Sequence, residues 1–377
     1  MRRLIVITAA GALALAGCGS GDPDTPAAGG EKGGPIPVAA DDSACKVARA
    51  EADAGTSVFS VTNKGQKVTE FYVYAPGDRV MGEVENIAPG LSRELHVELP
   101  AGSYETACKP GMIGKGIRAA FTVSGSSAPL TDDAALAAAT GSYSRYVKSQ
   151  TDALLVKTEE FVTAVKAGDV AKAKTLFPIA RTYWERIEPV AEIFGDLDPR
   201  IDGREEVTEE GMTFGGFHRI EKDLWAAKPD ISKDGPIADQ LLTDVKEIVA
   251  KAQAEKLSPL QLANGAKGLL DEVATGKITG EEDRYSHTDL WDFNANVEGS
   301  KAAIAALRPV LEERDAALVK TLDTEFANVD TALAKHRAGD GWKLHDQLSQ
   351  ADLKDLSDAI NALAEPISKV AAVVSKK

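Results

Sequence analysis

The sequence has 377 residues and a formal net charge of −15. A negative charge of this size repels polyanions, so the composition argues against nucleic acid as a partner and suits cationic ligands. The length predicts two or three folded units and is ample for a hydrophobic core.

The N-terminus has the pattern of a bacterial export signal. Arg2 and Arg3 precede a short apolar run that ends in Leu-Ala-Gly-Cys at Cys18. This ending resembles the lipobox of bacterial lipoproteins, in which the cysteine becomes the lipid-carrying first residue, and the run is too short to span a membrane as a stable helix. We therefore expect an exported protein that is lipid-anchored to the bacterial cell membrane, extracytoplasmic or periplasmic. The predicted segments are a signal peptide at residues 1–17, lipidation at Cys18 and a Gly- and Pro-rich tether at 18–43.

Residues 44–124 are predicted to form a β-sandwich. Runs rich in Val, Phe, Tyr and Thr are separated by Gly, Pro and Asn turn signals at the spacing of an all-β domain. Two cysteines, Cys45 and Cys108, lie near the two ends of this domain. In an exported protein two cysteines most simply form a disulfide, although two thiolates are also metal ligands.

A different composition follows. Residues 125–130 read as a linker, and residues 131–377 are rich in Ala, Leu, Glu and Lys with apolar residues at three- and four-residue spacing. This pattern predicts an antiparallel helical bundle. The fold class is therefore multi-domain, with an all-β sandwich followed by an all-α bundle.

The segment 216–221 reads Gly-Phe-His-Arg-Ile-Glu and carries the clearest chemical signal. His218 and Glu221 stand three residues apart, so a helix places them on one face beside an apolar stripe. An imidazole and a carboxylate at this spacing are a pair of metal ligands in many helical bundles, but the same spacing also occurs as a simple hydrogen bond.

This segment resembles the HxxE motif of imelysin-like (peptidase M75) domains. The segments 187–192, 196–202 and 284–299 extend the likeness to the imelysin half of the EfeO family of iron-uptake components, and 85–90 and 102–108 resemble that family's cupredoxin-like domain. The resemblance implies an iron-capturing protein that works with an EfeU-like permease and an EfeB-like haem peroxidase. It implies iron, as Fe2+ or Fe3+, held by the HxxE pair with acids from other helices.

Three further acids are candidates for this ligand set. Glu185 and Glu188 share a helix face, and Asp289 precedes Asp292 on another helix. Glu298 lies nine residues beyond Asp289, about half a turn away on a straight helix, so we rank it below Asp289. Oxygen and imidazole ligands suit iron, with Zn2+ or Cu2+ as substitutes.

The sandwich raises the question of a second metal site. A blue-copper centre needs two histidines and a cysteine, whereas His96 is the only histidine in residues 44–124, so this centre is not expected. As the alternative to a disulfide, the family resemblance implies a site for Cu2+ or Fe3+ formed by the two cysteines and nearby carboxylates. The residues of this alternative are Cys45, Cys108, Glu70, Glu85 and Glu105.

The two alternatives to iron capture are peptide hydrolysis and the binding of acidic polysaccharide. A metallopeptidase of the imelysin class would need a metal with an open position, but the chain has no His-Glu-x-x-His helix with a second histidine ligand. A protein that binds acidic polysaccharide would need a local basic face against the net charge. We expect an iron-binding protein and not an enzyme.

Overall fold

A computed structural model describes residues 34–376, so the predicted signal peptide, Cys18 and the first part of the tether lie outside the described residues. Alternation of apolar and polar residues builds the first half of this structure. In β4, for example, Phe59 and Val61 are buried while Ser60 between them is not. The strands of this half are β1 (Ile36–Ala40), β2 (Cys45–Val47), β3 (Glu51–Asp53), β4 (Gly55–Asn63), β5 (Thr69–Ala75), β6 (Arg79–Ile87), β7 (Ser92–Leu99), β8 (Gly102–Pro110) and β9 (Ile117–Ser124).

The strands form two sheets, in the orders β2-β1-β4-β7 and β3-β9-β8-β5-β6. Phe59, Phe71 and Phe121 pack together in the core between them. The expected two-domain fold class, a cupredoxin-like sandwich before a helical bundle, is confirmed.

The predicted tether is wrong from Ile36 onward. Residues 36–40 pair in parallel with β4 and bury Ile36, Val38 and Ala40 completely or nearly so. The apolar side chains of Ile36, Val38 and Ala40 stand at alternate positions, which is enough to form a strand beside an existing sheet. The Gly- and Pro-rich composition of the surrounding residues concealed this alternation.

A disulfide joins Cys45 of β2 to Cys108 of β8, and so links the two sheets. Of the two alternatives for these cysteines, this structure contains the disulfide. Because the sulfur atoms are bonded to each other, neither is a thiolate ligand for a metal.

Helices make up the second half. Asp133 caps α1, since its side chain accepts hydrogen bonds from the backbone N–H groups of Ala135 and Leu136. Helix α2 ends at Glu185, and a separate short helix, α3, begins at Glu188. The elements are α1 (Ala134–Lys166), α2 (Val170–Glu185), α3 (Glu188–Ala191), α4 (Leu197–Ile201), α5 (Gly216–Leu224), α6 (Gly235–Ala254), α7 (Pro259–Thr275), α8 (Asp289–Ala334), the short strands β10 (Arg337–Ala338) and β11 (Gly341–Trp342), α9 (Gln350–Ile367) and α10 (Val370–Val374).

The sandwich packs directly on the bundle. The Asn264 side chain of α7 donates a hydrogen bond to the His96 carbonyl of β7, at 2.9 Å. Arg79 of β6 forms an ion pair with Glu255 just after α6, at 2.5 Å. Within residues 34–376, none of the helices is both long and apolar enough to cross a membrane.

The disulfide generates a stability prediction. Replacing both Cys45 and Cys108 by serine is expected to lower the free energy of unfolding of the sandwich by about 2–4 kcal/mol, because the cross-link restricts the unfolded chain. Urea unfolding followed by circular dichroism measures this loss. Metal titration of the same variant should match the wild type, and a loss of tight metal binding would show that the cysteines are ligands after all.

Candidate metal centre

The centre is built around the start of α5. Gly216 has a φ of +65°, and a Cβ at this position would lie 2.1 Å from the Ile201 carbonyl oxygen. Only glycine permits this approach, which seats α5 against the end of α4. Phe217 and Ile220 then enter the bundle core.

His218 and Glu221 are both buried and contact each other. The Nδ1 atom of His218 donates a hydrogen bond to Glu221 Oε2 at 2.9 Å. The other carboxylate oxygen, Oε1, accepts from the backbone N–H groups of Tyr285 at 3.1 Å and Ser286 at 2.7 Å. Burial alone would raise the pKa of Glu221, but the hydrogen bonds from His218 and Ser286 outweigh it and hold the pKa below its usual value. The Glu221 carboxylate thus orients the imidazole ring.

The opposite nitrogen of the ring, Nε2, lies near two carboxylates without a hydrogen bond to either. Among the described residues, none makes a hydrogen bond to His218 Nε2. The nearest carboxylate atoms are Glu282 Oε1 at 3.5 Å and Asp202 Oδ1 at 3.6 Å. Ligand atoms of His218, Asp202 and Glu282 all lie within 4.8 Å of one another, which fits a cation between them.

Two further groups of three overlap this one. His218, Glu221 and Asp283 form the second group. Buried ligand atoms without a hydrogen bond also occur beside it, on Asp283 Oδ1 and Asp292 Oδ1, as judged over the described chain. The third group consists of Glu185, Glu188 and Asp202.

The structure brings four of the five predicted ligands into these groups. His218, Glu221, Glu185 and Glu188 are members, and all are at least nine-tenths buried. Asp289 is fully buried at the start of α8 and accepts a hydrogen bond from the backbone N–H of Asp283 at 3.2 Å, but it belongs to none of the three groups found in residues 34–376.

Three other members were not predicted. Asp202 follows α4, and Glu282 and Asp283 precede α8. Helical spacing cannot detect ligands in connecting segments, because their position depends on tertiary packing. The one available signal was the acidic run from Glu281 to Asp283 directly after Gly280.

Two buried cations lie among these acids and offset part of their charge. Arg181 is fully buried in α2, and Lys277 is 1% exposed in a one-turn helix after α7. Burial opposes their charge, but the surrounding carboxylates raise the pKa of both groups well above their usual values, so both stay charged. The carboxylates in contact with the Arg181 guanidinium are Glu185 at 2.6 Å, Asp292 at 2.9 Å, Asp283 at 3.2 Å, Glu282 at 3.3 Å and Asp202.

His218 is also affected by these charges. Burial and the Arg181 charge both disfavour its protonation. Asp202, Glu221 and Glu282 outweigh them and raise the pKa of His218 to about 9. At neutral pH the imidazole therefore carries a proton that a metal ion must displace.

The carboxylates proposed for a second site lie elsewhere. Glu70 and Glu85 line a cavity of about 460 Å³ between the sandwich and the bundle. Glu85 accepts a hydrogen bond from the Tyr72 hydroxyl at 2.8 Å, and Glu70 lies 3.8 Å from the Lys109 ammonium. Burial, only partly offset by Lys109, raises the pKa of Glu70 to about 7.

Glu105 differs from these two glutamates. Its side chain is 53% exposed, and it forms an ion pair with Arg118 at 3.0 Å. The disulfide is separate again, because Cys108 faces the sandwich core. The five residues of the predicted second site are therefore not one set of ligands.

Comparison with known proteins agrees with this architecture. The imelysin (peptidase M75) family matches residues 139–370, and a cupredoxin-like domain family matches residues 6–123. The iron uptake system component EfeO of Escherichia coli O157:H7 is 40% identical over 348 residues, which cover 90% of this chain and 91% of that protein. EfeO of Shigella flexneri has the same identity and coverage.

A solved structure from Parabacteroides distasonis covers 66% of this chain and 97% of its own, with 15% identity and a TM-score of 0.46. The sequence matches are far stronger, since they span both domains in the same order. The chain belongs to the EfeO family of iron-uptake components, with a cupredoxin-like domain followed by an imelysin domain.

Proposed function

We propose that this protein captures iron outside the cytoplasm at the centre around His218 and delivers it to a membrane permease. The observation that carries the proposal is the buried Nε2 atom of His218, which has no hydrogen-bond partner in the described structure and lies 3.5–3.6 Å from the carboxylates of Glu282 and Asp202. One imidazole with several carboxylates is a ligand set that iron accepts in either oxidation state.

The proposed ligands are His218 through Nε2, Asp202 and Glu282, with Glu221 holding the ring through Nδ1. Glu185 and Glu188 form the adjoining acid group. Zn2+ and Cu2+ fit the same donors and serve as experimental substitutes. The names of the relatives support iron as the physiological cargo.

The proposed partners and location rest on the resemblance to this family. An EfeU-like permease is the proposed acceptor of the iron, and an EfeB-like haem peroxidase is the proposed third component. A lipid anchor on Cys18 would keep the protein at the outer face of the membrane, next to the permease. In this arrangement iron is bound and released, and no substrate is chemically converted at the centre.

Burial of the centre favours transport over peptide hydrolysis. His218 is 1% exposed, and Glu221 and Asp283 are fully buried. A peptidase must place a peptide bond beside its metal-bound water, which needs an open cleft. A single ion can reach a buried site through small movements of side chains, whereas a peptide cannot.

Substitution of the ligands tests the proposal. His218→Ala and Asp202→Asn are each expected to weaken Fe2+ or Zn2+ binding by about 100-fold or more, because the first removes a donor atom and the second replaces a charged donor by a neutral amide oxygen. Glu221→Gln should weaken binding by roughly 10–100-fold, since it disturbs the orientation of the ring. Calorimetric titration of the protein starting after Cys18 measures these affinities.

The matched control is Glu298→Gln. Glu298 lies on α8 but forms an ion pair with Arg186 at 2.5 Å, outside the three groups. The affinity of the Glu298→Gln variant for Fe2+ and Zn2+ should equal that of the wild type. Tight metal binding by the His218→Ala variant would show that the site lies elsewhere in the protein. A wild-type protein that binds none of these ions would refute the proposed function.

The pKa of His218 predicts how binding depends on pH. The proton on His218 is retained up to about pH 9, so metal binding below this pH must release it. The affinity for Zn2+ is expected to rise by about tenfold per unit between pH 6 and pH 8. The same proton stabilises the metal-free protein fully below pH 6.5, and this contribution is lost as the pH rises through 9. Titrations in buffers of different ionisation enthalpy count the released protons; an affinity that stays constant over this range would contradict the assignment.

A further inference from the structure

Lys277 lies where a cation would be expected. Its ammonium is 3.2 Å from Glu185 Oε2, 3.3 Å from Glu188 Oε2 and 3.6 Å from Glu272 Oε2. Glu185 and Glu188 are also members of the group in which carboxylate oxygens of three residues converge within 4.8 Å. The side chain thus places a tethered positive charge among ligands that suit a hard metal ion.

The backbone holds Lys277 at this position. The residue begins a one-turn helix, Lys277–Thr279, that ends at Gly280 with a φ of +77°. The next residue of this turn, Ile278, accepts a hydrogen bond from His345 Nε2 at 3.0 Å. The turn is therefore fixed to the segment around His345, and the buried ammonium of Lys277 contacts the glutamates.

This charge is close to the proposed iron ligands. Glu185 bonds Lys277 through Oε2 and Arg181 through Oε1, and Arg181 in turn contacts Asp202 and Glu282. A metal ion at His218 Nε2 would share these acids with two fixed positive charges. In a buried site with little water such charges repel the ion more strongly than they would at the surface.

We propose that Lys277 is an internal counter-ion that stabilises the metal-free protein and weakens iron binding enough for the iron to be released. The inference rests on the proposed function, because it assigns a residue that sets the affinity of the same centre. A delivery protein needs this limit, since the seven buried carboxylates of the three overlapping groups and their surroundings would otherwise hold a cation too tightly for transfer. The acids in question are Glu185, Glu188, Asp202, Glu221, Glu282, Asp283 and Asp292.

Lys277→Met separates this role from a merely structural one. The metal-free variant should melt about 5 °C or more below the wild type, because Glu185 and Glu188 lose the buried cation that they share. Its dissociation constants for Fe2+ under anaerobic conditions and for Zn2+ should nevertheless fall at least tenfold, and transfer of the ion to an external chelator should slow. If Lys277 were needed only to shape the centre, its substitution would lower both the melting temperature of the protein and its affinity for the metal.

Two controls complete the test. Lys267→Met removes an ion pair with Asp271 on α7, away from the centre, and should leave the affinity unchanged. If the Lys277→Met protein does not fold, Lys277→Gln is the second variant, and it should also bind the metal more tightly than the wild type. Unchanged or weaker binding in the Lys277 variants, with a wild type that binds metal, overturns this inference alone. A wild type that binds no metal overturns the proposed function and this inference with it.

Discussion

Balance of buried charge is the constraint on which this structure depends. Carboxylates from α2, α3, α5, α8 and the segments before α5 and α8 converge in a buried region, and desolvation of so many anions is tolerated only with positive charge among them. Arg181 and Lys277 supply that charge from within the chain, and protonated His218 adds to it. The geometry of the centre is therefore set by ion pairs before any metal arrives, and a metal ion competes with charges that are already present.

The ends and interruptions of the helices place the charged residues of the centre. Helix α5 is short and begins at a glycine pressed against α4, which fixes His218 and Glu221 beside Asp202. The interruption after Glu185 lets α2 and α3 present two glutamates to the same region. The sandwich packs on α7 and adds its own acids, Glu70 and Glu85, to a separate cavity between the domains. The two domains thus meet around acidic surfaces that are distinct from the buried centre.

Much of this could be predicted from the sequence, because it depends on local periodicity. Alternation and three- to four-residue spacing indicated the sandwich and the bundle, and the i, i+3 spacing of His218 and Glu221 placed them together on one helix. Asp202 and Asp283 could not be found in this way, since they lie in connecting segments whose position depends on packing. Asp289 is buried as expected but faces the backbone of Asp283 and not the imidazole. The role of Lys277 was hidden for another reason: a lysine becomes a counter-ion only through the acids that surround it in the fold.

The position of the ion tests the account most directly. Crystals of the mature protein loaded with iron, measured on both sides of the iron absorption edge, would locate the metal by its anomalous scattering. The account predicts one strong peak in the bundle within coordination distance of His218 Nε2, Asp202 and Glu282, with Glu221 still bonded to Nδ1. A peak in the cavity beside Glu70 and Glu85, with none near His218, would contradict it.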